Sequence, residues 1–175
     1  MAAQGADLAG EARLVDAMLP RGARVLDAGC GPGRVGAELH ARGHIVVGVD
    51  ADPALIEAAR EDHPGPVWLV ADLAELDLPA AGHPEPFQAA VLAGNVLPFV
   101  APGSEVDVLR RVAAHVVADG FLIIGFHVER LPLEEFDREV SDAHLSVEHR
   151  FATWDLRAWH DGADFAVTVL RHAPA

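Results

Sequence analysis

The chain of 175 residues reads as an α/β domain, doubly wound around a mainly parallel seven-stranded sheet with a C-terminal antiparallel hairpin strand. Three observations predict this. Four short apolar runs, within 24–26, 45–49, 67–70 and 89–92, are each closed by a polar residue: Asp27, Asp50, Asp72 and Asn95, spaced 23, 22 and 23 residues apart. A strand and the helix that returns the chain beside it use about that many residues. Residues 121–126 are almost wholly apolar, as in a strand buried on both faces. Two extended segments then follow with no helix between them, and such a pair forms a hairpin.

The elements follow in order. Residues 1–7 read as a frayed start, and 8–19 carry Leu14, Val15, Met18 and Leu19 at helical spacing before Pro20. The first strand is 24–28, the turn 29–33, and a helix over 34–42 is stopped by Gly43. After the strand at 45–49, Asp52 and Pro53 supply an N-cap and a first-turn proline for a helix to about Asp62. Residues 73–87 contain Pro79, Gly82, Pro84 and Pro86 and read mainly as loop. Strand four is 88–92. A helix over 104–118 with Ser104 as N-cap then turns at Asp119-Gly120 into the strand at 121–126. A helix at 132–143 precedes the extended segments 145–154 and 163–172, which turn around Asp161-Gly162. This is one domain over 1–175: an N-terminal helical cap (1–22), a ligand-binding core (23–126), and a helix plus hairpin (127–175).

Composition narrows the function. Twenty-seven acids face thirteen bases, a net charge of −14, and every base is arginine. Nucleic-acid surfaces need dense basic patches, so nucleic acid is not an expected partner. Without lysine there is no phosphate loop ending in Gly-Lys and no Schiff-base lysine; without tyrosine there is no Tyr/Lys dehydrogenase pair. No apolar run approaches the ~18 residues of a membrane span, and no signal segment opens the chain, so no membrane partner is expected. The single Cys30 excludes an internal disulfide and fits a cytoplasmic location.

In a parallel sheet all strands end at one edge, where ligands bind. Asp27, Asp50, Asp72 and Asn95 therefore gather along one crevice, with the glycine turn between the first two. Gly31-Pro32-Gly33-Arg34-Val35-Gly36 formally matches the dinucleotide pattern G-x-G-x-x-G, with Asp50 19 residues after Gly31. Asp27 at the strand end would face a pyrophosphate unfavourably, which argues against a dinucleotide.

Val25-Leu26-Asp27-Ala28-Gly29-Cys30-Gly31-Pro32-Gly33 resembles the first motif of the class I S-adenosylmethionine-dependent methyltransferases. Val49-Asp50 is similar to the second motif, whose acid accepts from both ribose hydroxyls. Ala71-Asp72-Leu73 resembles the third, beside the adenine. Ala93-Gly94-Asn95-Val96-Leu97 resembles the fourth, next to the methionine part and the methyl group. Residues 118–124 resemble the turn and fifth strand, so the likeness covers roughly 11–172.

The resemblance implies a Rossmann-like fold, S-adenosylmethionine as cofactor, and in-line methyl transfer without a catalytic triad. It implies cofactor contacts from Asp27, Gly29, Cys30, Gly31, Gly33, Asp50, Ala51, Ala71, Asp72, Leu73, Gly94 and Asn95. Arg34 is a candidate for the cofactor carboxylate. Asn95 and His127 are the candidates on the catalytic side, with Glu129 as a further substrate contact. No metal is expected, because the ten histidines form no ligand pattern. The stretch after strand four departs from the Asn/Asp-Pro-Pro-aromatic motif of base-modifying relatives. A small-molecule acceptor is therefore expected, with a homodimer completing the pocket if the short N-terminus leaves it open. The alternative is a cofactor-binding protein without turnover.

Overall fold

The computed structural model describes residues 9–174. Seven strands, β1 (Arg24–Ala28), β2 (Ile45–Asp50), β3 (Val67–Val70), β4 (Phe87–Leu92), β5 (Val116–His127), β6 (Leu145–Phe151) and β7 (Phe165–His172), make one sheet in the order β3-β2-β1-β4-β5-β7-β6. The first five run parallel, and β7 enters antiparallel between β5 and β6. Strand order reverses between β1 and β4, which opens a crevice at their carboxyl ends.

The period-2 alternation of each strand sends its residues to two cores. Val25, Val46, Ala89, Val91, Phe121 and Ile123 pack under α1 (Gly10–Met18) and α2 (Arg34–Ala41), through Leu14, Val15, Val35 and Leu39. Leu26, Val47, Ala90, Leu92, Leu122 and Ile124 pack under α4 (Glu105–Ala114) and α5 (Leu133–Asp142), through Leu109, Val112, Phe136 and Val140. A third cluster joins Ile56 and Ala59 of α3 (Pro53–Asp62) to Cys30 and Trp68. The Trp68 indole lies where a side chain at Gly33, Gly36 or Gly48 would sit, and its N–H donates to the His63 carbonyl at 2.9 Å.

The expected fold class holds, with local differences. α4 ends at Ala114, not 118, because β5 begins at Val116 and pairs with Phe87. The Asp119-Gly120 turn expected from sequence is instead an irregularity inside β5, where the register shifts between Phe87 and Ala89. Gly120 is required there: a β-carbon would sit 2.6 Å from the Gln88 carbonyl oxygen. Ser104 precedes α4 but makes no side-chain cap; its hydroxyl donates to the Ala101 carbonyl at 2.6 Å. The hairpin connection runs over 152–164, longer than the expected turn at Asp161-Gly162, with a bridge between Phe151 and Ala158. The expected frayed residues 1–7 and the helix start at Leu8 lie outside the described residues. No described helix is long and apolar enough to cross a membrane.

Candidate functional site

The ends of β1, β2, β3 and β4 enclose a cavity of about 460 Å³, within the usual range for small-molecule sites. Gly29, Gly31, Asp50, Ala51, Leu55 and Asp72 line it on one side. Asn95, Val96, Phe99 and Val100 contribute the wall after β4.

The glycine turn is held from beneath. Gly29 and Cys30 N–H groups both donate to the Val49 carbonyl, at 2.8 and 2.9 Å. Gly31 adopts φ +54° and Gly94 φ +73°, and a β-carbon on either would meet no atom within 4 Å. Both positions thus present bare backbone to open space, a cradle suited to close approach by a ligand. At Gly29 (φ +76°) a β-carbon would instead collide with Val96, so this glycine keeps β1 and the post-β4 wall together.

Asp50 ties turn to strand: Oδ2 accepts from Gly31 N–H at 2.9 Å and Oδ1 from Asp52 N–H at 3.0 Å. Each oxygen keeps a second lone pair for a ligand hydroxyl. Asp72 Oδ1 accepts from Ala74 N–H at 2.8 Å and caps a 3₁₀ turn at Leu73–Glu75, which leaves Oδ2 available. The two acids give the cavity a negative lining that favours a cationic ligand and disfavours a pyrophosphate.

Seven residues expected at the cofactor or the acceptor do not line the cavity. Asp27 is 2% exposed and its Oδ2 accepts from Gly36 N–H at 2.8 Å, bracing α2 from behind. Burial pushes its carboxyl up to about 7; the Gly36 N–H and Arg34 oppose this, while Asp50 and Glu11 add to it. Cys30 packs in the Trp68 cluster, and burial, reinforced by Asp27 and Asp50, pushes its thiol upward, away from thiolate reactivity. Gly33 takes φ +88° to start α2 and faces Trp68. Ala71 serves through its N–H, which donates to the Asp50 carbonyl at 3.0 Å.

His127 is the fifth. Its ring meets Phe165 edge-on at 4.9 Å, which turns the imidazole toward β7. Its backbone N–H donates to Asn95 Oδ1 at 2.7 Å. Asn95 itself lines the cavity at φ +63°, a left-handed conformation that asparagine tolerates better than most residues. With one Oδ1 lone pair engaged, the amide keeps its Nδ2 donors and a second Oδ1 lone pair to offer. Arg34 is likewise taken: its guanidinium meets Glu11 at 2.7 and 3.2 Å. Glu129 is exposed in the turn after β5. Among the described residues no three His, Cys, Asp or Glu gather to hold a metal.

Sequence reasoning placed Ala93 and Val96 only within the fourth motif and missed Leu55, Phe99, Val100 and Ala101 as cavity residues. Leu55 was findable as the first large apolar residue of α3, the helix that follows the β2 end. Beyond that motif, the wall from Phe99 to Ala101 carries no motif of its own.

A reversed-order parallel sheet with a glycine turn after β1 and acids lining a cavity after β2 and β3 has the form of an α/β domain that binds a ligand at its switch point. The model of a family described as a methyltransferase domain matches residues 25–120. The solved TehB-like methyltransferase of Corynebacterium glutamicum, described as S-adenosylmethionine-dependent, is 40% identical with a TM-score of 0.89, over 96% of this chain and 90% of that one. The CcbJ methyltransferase of Streptomyces caelestis shares the fold at 20% identity and TM-score 0.81, over 97% of both chains. An uncharacterised methyltransferase of Mycobacterium tuberculosis is 44% identical over 72 residues, a match spanning 39% of this chain and 36% of that relative's length. The chain belongs to the class I S-adenosylmethionine-dependent methyltransferases.

Proposed function

We infer that this protein transfers the methyl group of S-adenosylmethionine to a small-molecule acceptor. The observation that carries the reading is the convergence of Gly31, Asp50, Asp72 and Asn95 on one cavity at the switch point of the sheet. When bound, S-adenosylmethionine supplies an already activated methyl group, so the protein's task is orientation. Asp50 accepts from the ribose hydroxyls with its unused lone pairs. Asp72 accepts from the adenine amino group, and Leu55 and Leu73 offer apolar surface to the ring. Gly31 and Gly94 admit the amino-acid end against bare backbone.

Asp27 acts indirectly, by holding α2 against the turn through Gly36. Asn95 faces the acceptor with its Nδ2 donor, and His127 supports it by fixing Oδ1. Two neighbours support a small acceptor only as analogies of fold. One is a 1,6-didemethyltoxoflavin N1-methyltransferase of Burkholderia thailandensis, 22% identical; the other is a sugar N-methyltransferase of Streptoalloteichus, 19% identical. The apolar wall of Val96, Phe99 and Val100 suits the same class. A reducing cytoplasm suits the buried, unpaired Cys30.

Calorimetric titration with S-adenosylmethionine, S-adenosylhomocysteine and NAD tests the cofactor part. Micromolar binding of the first two and none of NAD is expected; binding of NAD alone overturns the reading. Release of S-adenosylhomocysteine with a panel of amines, thiols and phenols then tests turnover.

A further inference from the structure

On the β4–β5 side of the crevice, across β1 from the strands that lead to Asp50 and Asp72, an aromatic ring and a guanidinium are paired. Phe99 closes the 3₁₀ turn Leu97–Phe99 after β4, lines the cavity, and is nevertheless 68% exposed. A phenyl ring left in water at a cavity rim is surface that a ligand gains by covering. The Arg130 guanidinium stands over that ring, 5.1 Å from its centroid. Arg130 is itself exposed, and the described residues give it no carboxylate partner, although acids outnumber bases 27 to 13.

The pair is held in a fixed frame. Arg130 N–H donates to the His127 carbonyl at 3.0 Å, and His127 N–H donates to Asn95 Oδ1 at 2.7 Å, so the turn after β5 is tied to the loop after β4. Phe99 N–H donates to the Val96 carbonyl at 3.0 Å, which sets the ring on the same loop. With β4 and β5 on one side of β1 and β2 and β3 on the other, ring and guanidinium flank the acceptor half of the crevice. Around them Val96, Val100 and Ala101 are apolar.

The geometry points to Phe99 and Arg130 as the acceptor-recognition element, selecting a small planar acceptor that carries an anionic group, a carboxylate or a comparable oxyanion. The flat face lies on Phe99 and the charge meets the guanidinium, whose fork matches carboxylate oxygens. In a chain of net charge −14 a general attraction for anions is absent, so this local cation would do the selecting. The inference rests on the methyltransferase reading of the cavity and names its substrate class.

The test uses the full chain saturated with S-adenosylhomocysteine and titrated with benzoate and phenylacetate against benzamide and phenylacetamide. The acids are expected to bind at least tenfold tighter than their amides, with the ratio shrinking as salt rises. Arg130→Gln should bring the ratio to within twofold, Arg130→Lys should retain part of it, and Phe99→Ala should weaken acids and amides alike. S-adenosylhomocysteine affinity should be the same in all four proteins. Equal binding of acids and amides, binding of neither, or a ratio that survives Arg130→Gln overturns the proposal. Cofactor affinity lost in Arg130→Gln alone overturns it too, by moving Arg130 to the cofactor. Failure of the parent chain to bind S-adenosylhomocysteine faults the methyltransferase reading instead.

Discussion

Asp50→Ala separates the glycine turn from its ligand role. The carboxylate accepts from Gly31 N–H at 2.9 Å and Asp52 N–H at 3.0 Å, and each oxygen retains one lone pair toward the cavity. Hydrogen bonds to a charged group are worth about 1.5–3 kcal/mol, but Asp50 is half-buried and water recovers part of each. Loss of the ribose contacts should therefore weaken cofactor binding by about 1–3 kcal/mol, roughly 5- to 150-fold in Kd. Asp50→Asn should weaken binding too, because one acceptor oxygen becomes an N–H donor facing another backbone N–H. Calorimetry with S-adenosylhomocysteine reads the affinity, and thermal melting of the same samples confirms the fold. Binding within twofold of the parent by a variant that melts at the parent temperature would refute the ribose role of Asp50.

Three further predictions follow from named contacts. Gly29→Ala forces a β-carbon into Val96 at φ +76° and should cost about 1–3 kcal/mol of stability in chemical denaturation, with Val96→Ala restoring part of it. Asn95→Gly keeps the φ of +63° but deletes the acceptor for His127 N–H; a loss of about 1 kcal/mol, with acceptor turnover falling more than cofactor affinity, is expected. Asp27 titrates near 7 when folded against 3.8 as a free side chain, so it favours the folded state at low pH and loses that contribution as pH rises through 7. Asp27→Asn keeps an oxygen for Gly36 N–H without the charge. It should gain about 1–4 kcal/mol over the parent at pH 8 and nothing at pH 4, read by urea denaturation at both pH values. Equal differences at the two pH values would show that Asp27 titrates normally.

The strand ends carrying Asp27, Asp50, Asp72 and Asn95 were legible because the strand-helix repeat is a local, periodic signal. The entry into β5 was not. Asp119-Gly120 has the composition of a turn, but Val116 pairs with Phe87, a partner 29 positions earlier in chain numbering that no local pattern reveals. Asp27 illustrates a second limit. Its place at the crevice edge was readable, yet whether its carboxylate turns toward the ligand or toward Gly36 depends on how α2 leaves the glycine turn. The same holds for His127, which ends its strand where expected while Phe165, brought alongside by the antiparallel β7, takes its ring. The wall from Phe99 to Ala101 was opaque for a simpler reason: apolar residues in a loop carry no spacing, and only the fold shows which ones face inward.

Trp68 rests in the space left by Gly33, Gly36 and Gly48, with Cys30 beside it. Those five positions are spread along the sequence but form one steric unit, so their histories are joined. Among homologues, alanine at position 48 should be accompanied by a smaller residue at 68, and a Gly48→Ala, Trp68→Phe pair should fold better than Gly48→Ala alone. The turn that meets the cofactor can therefore drift only in step with a bulky residue two strands away.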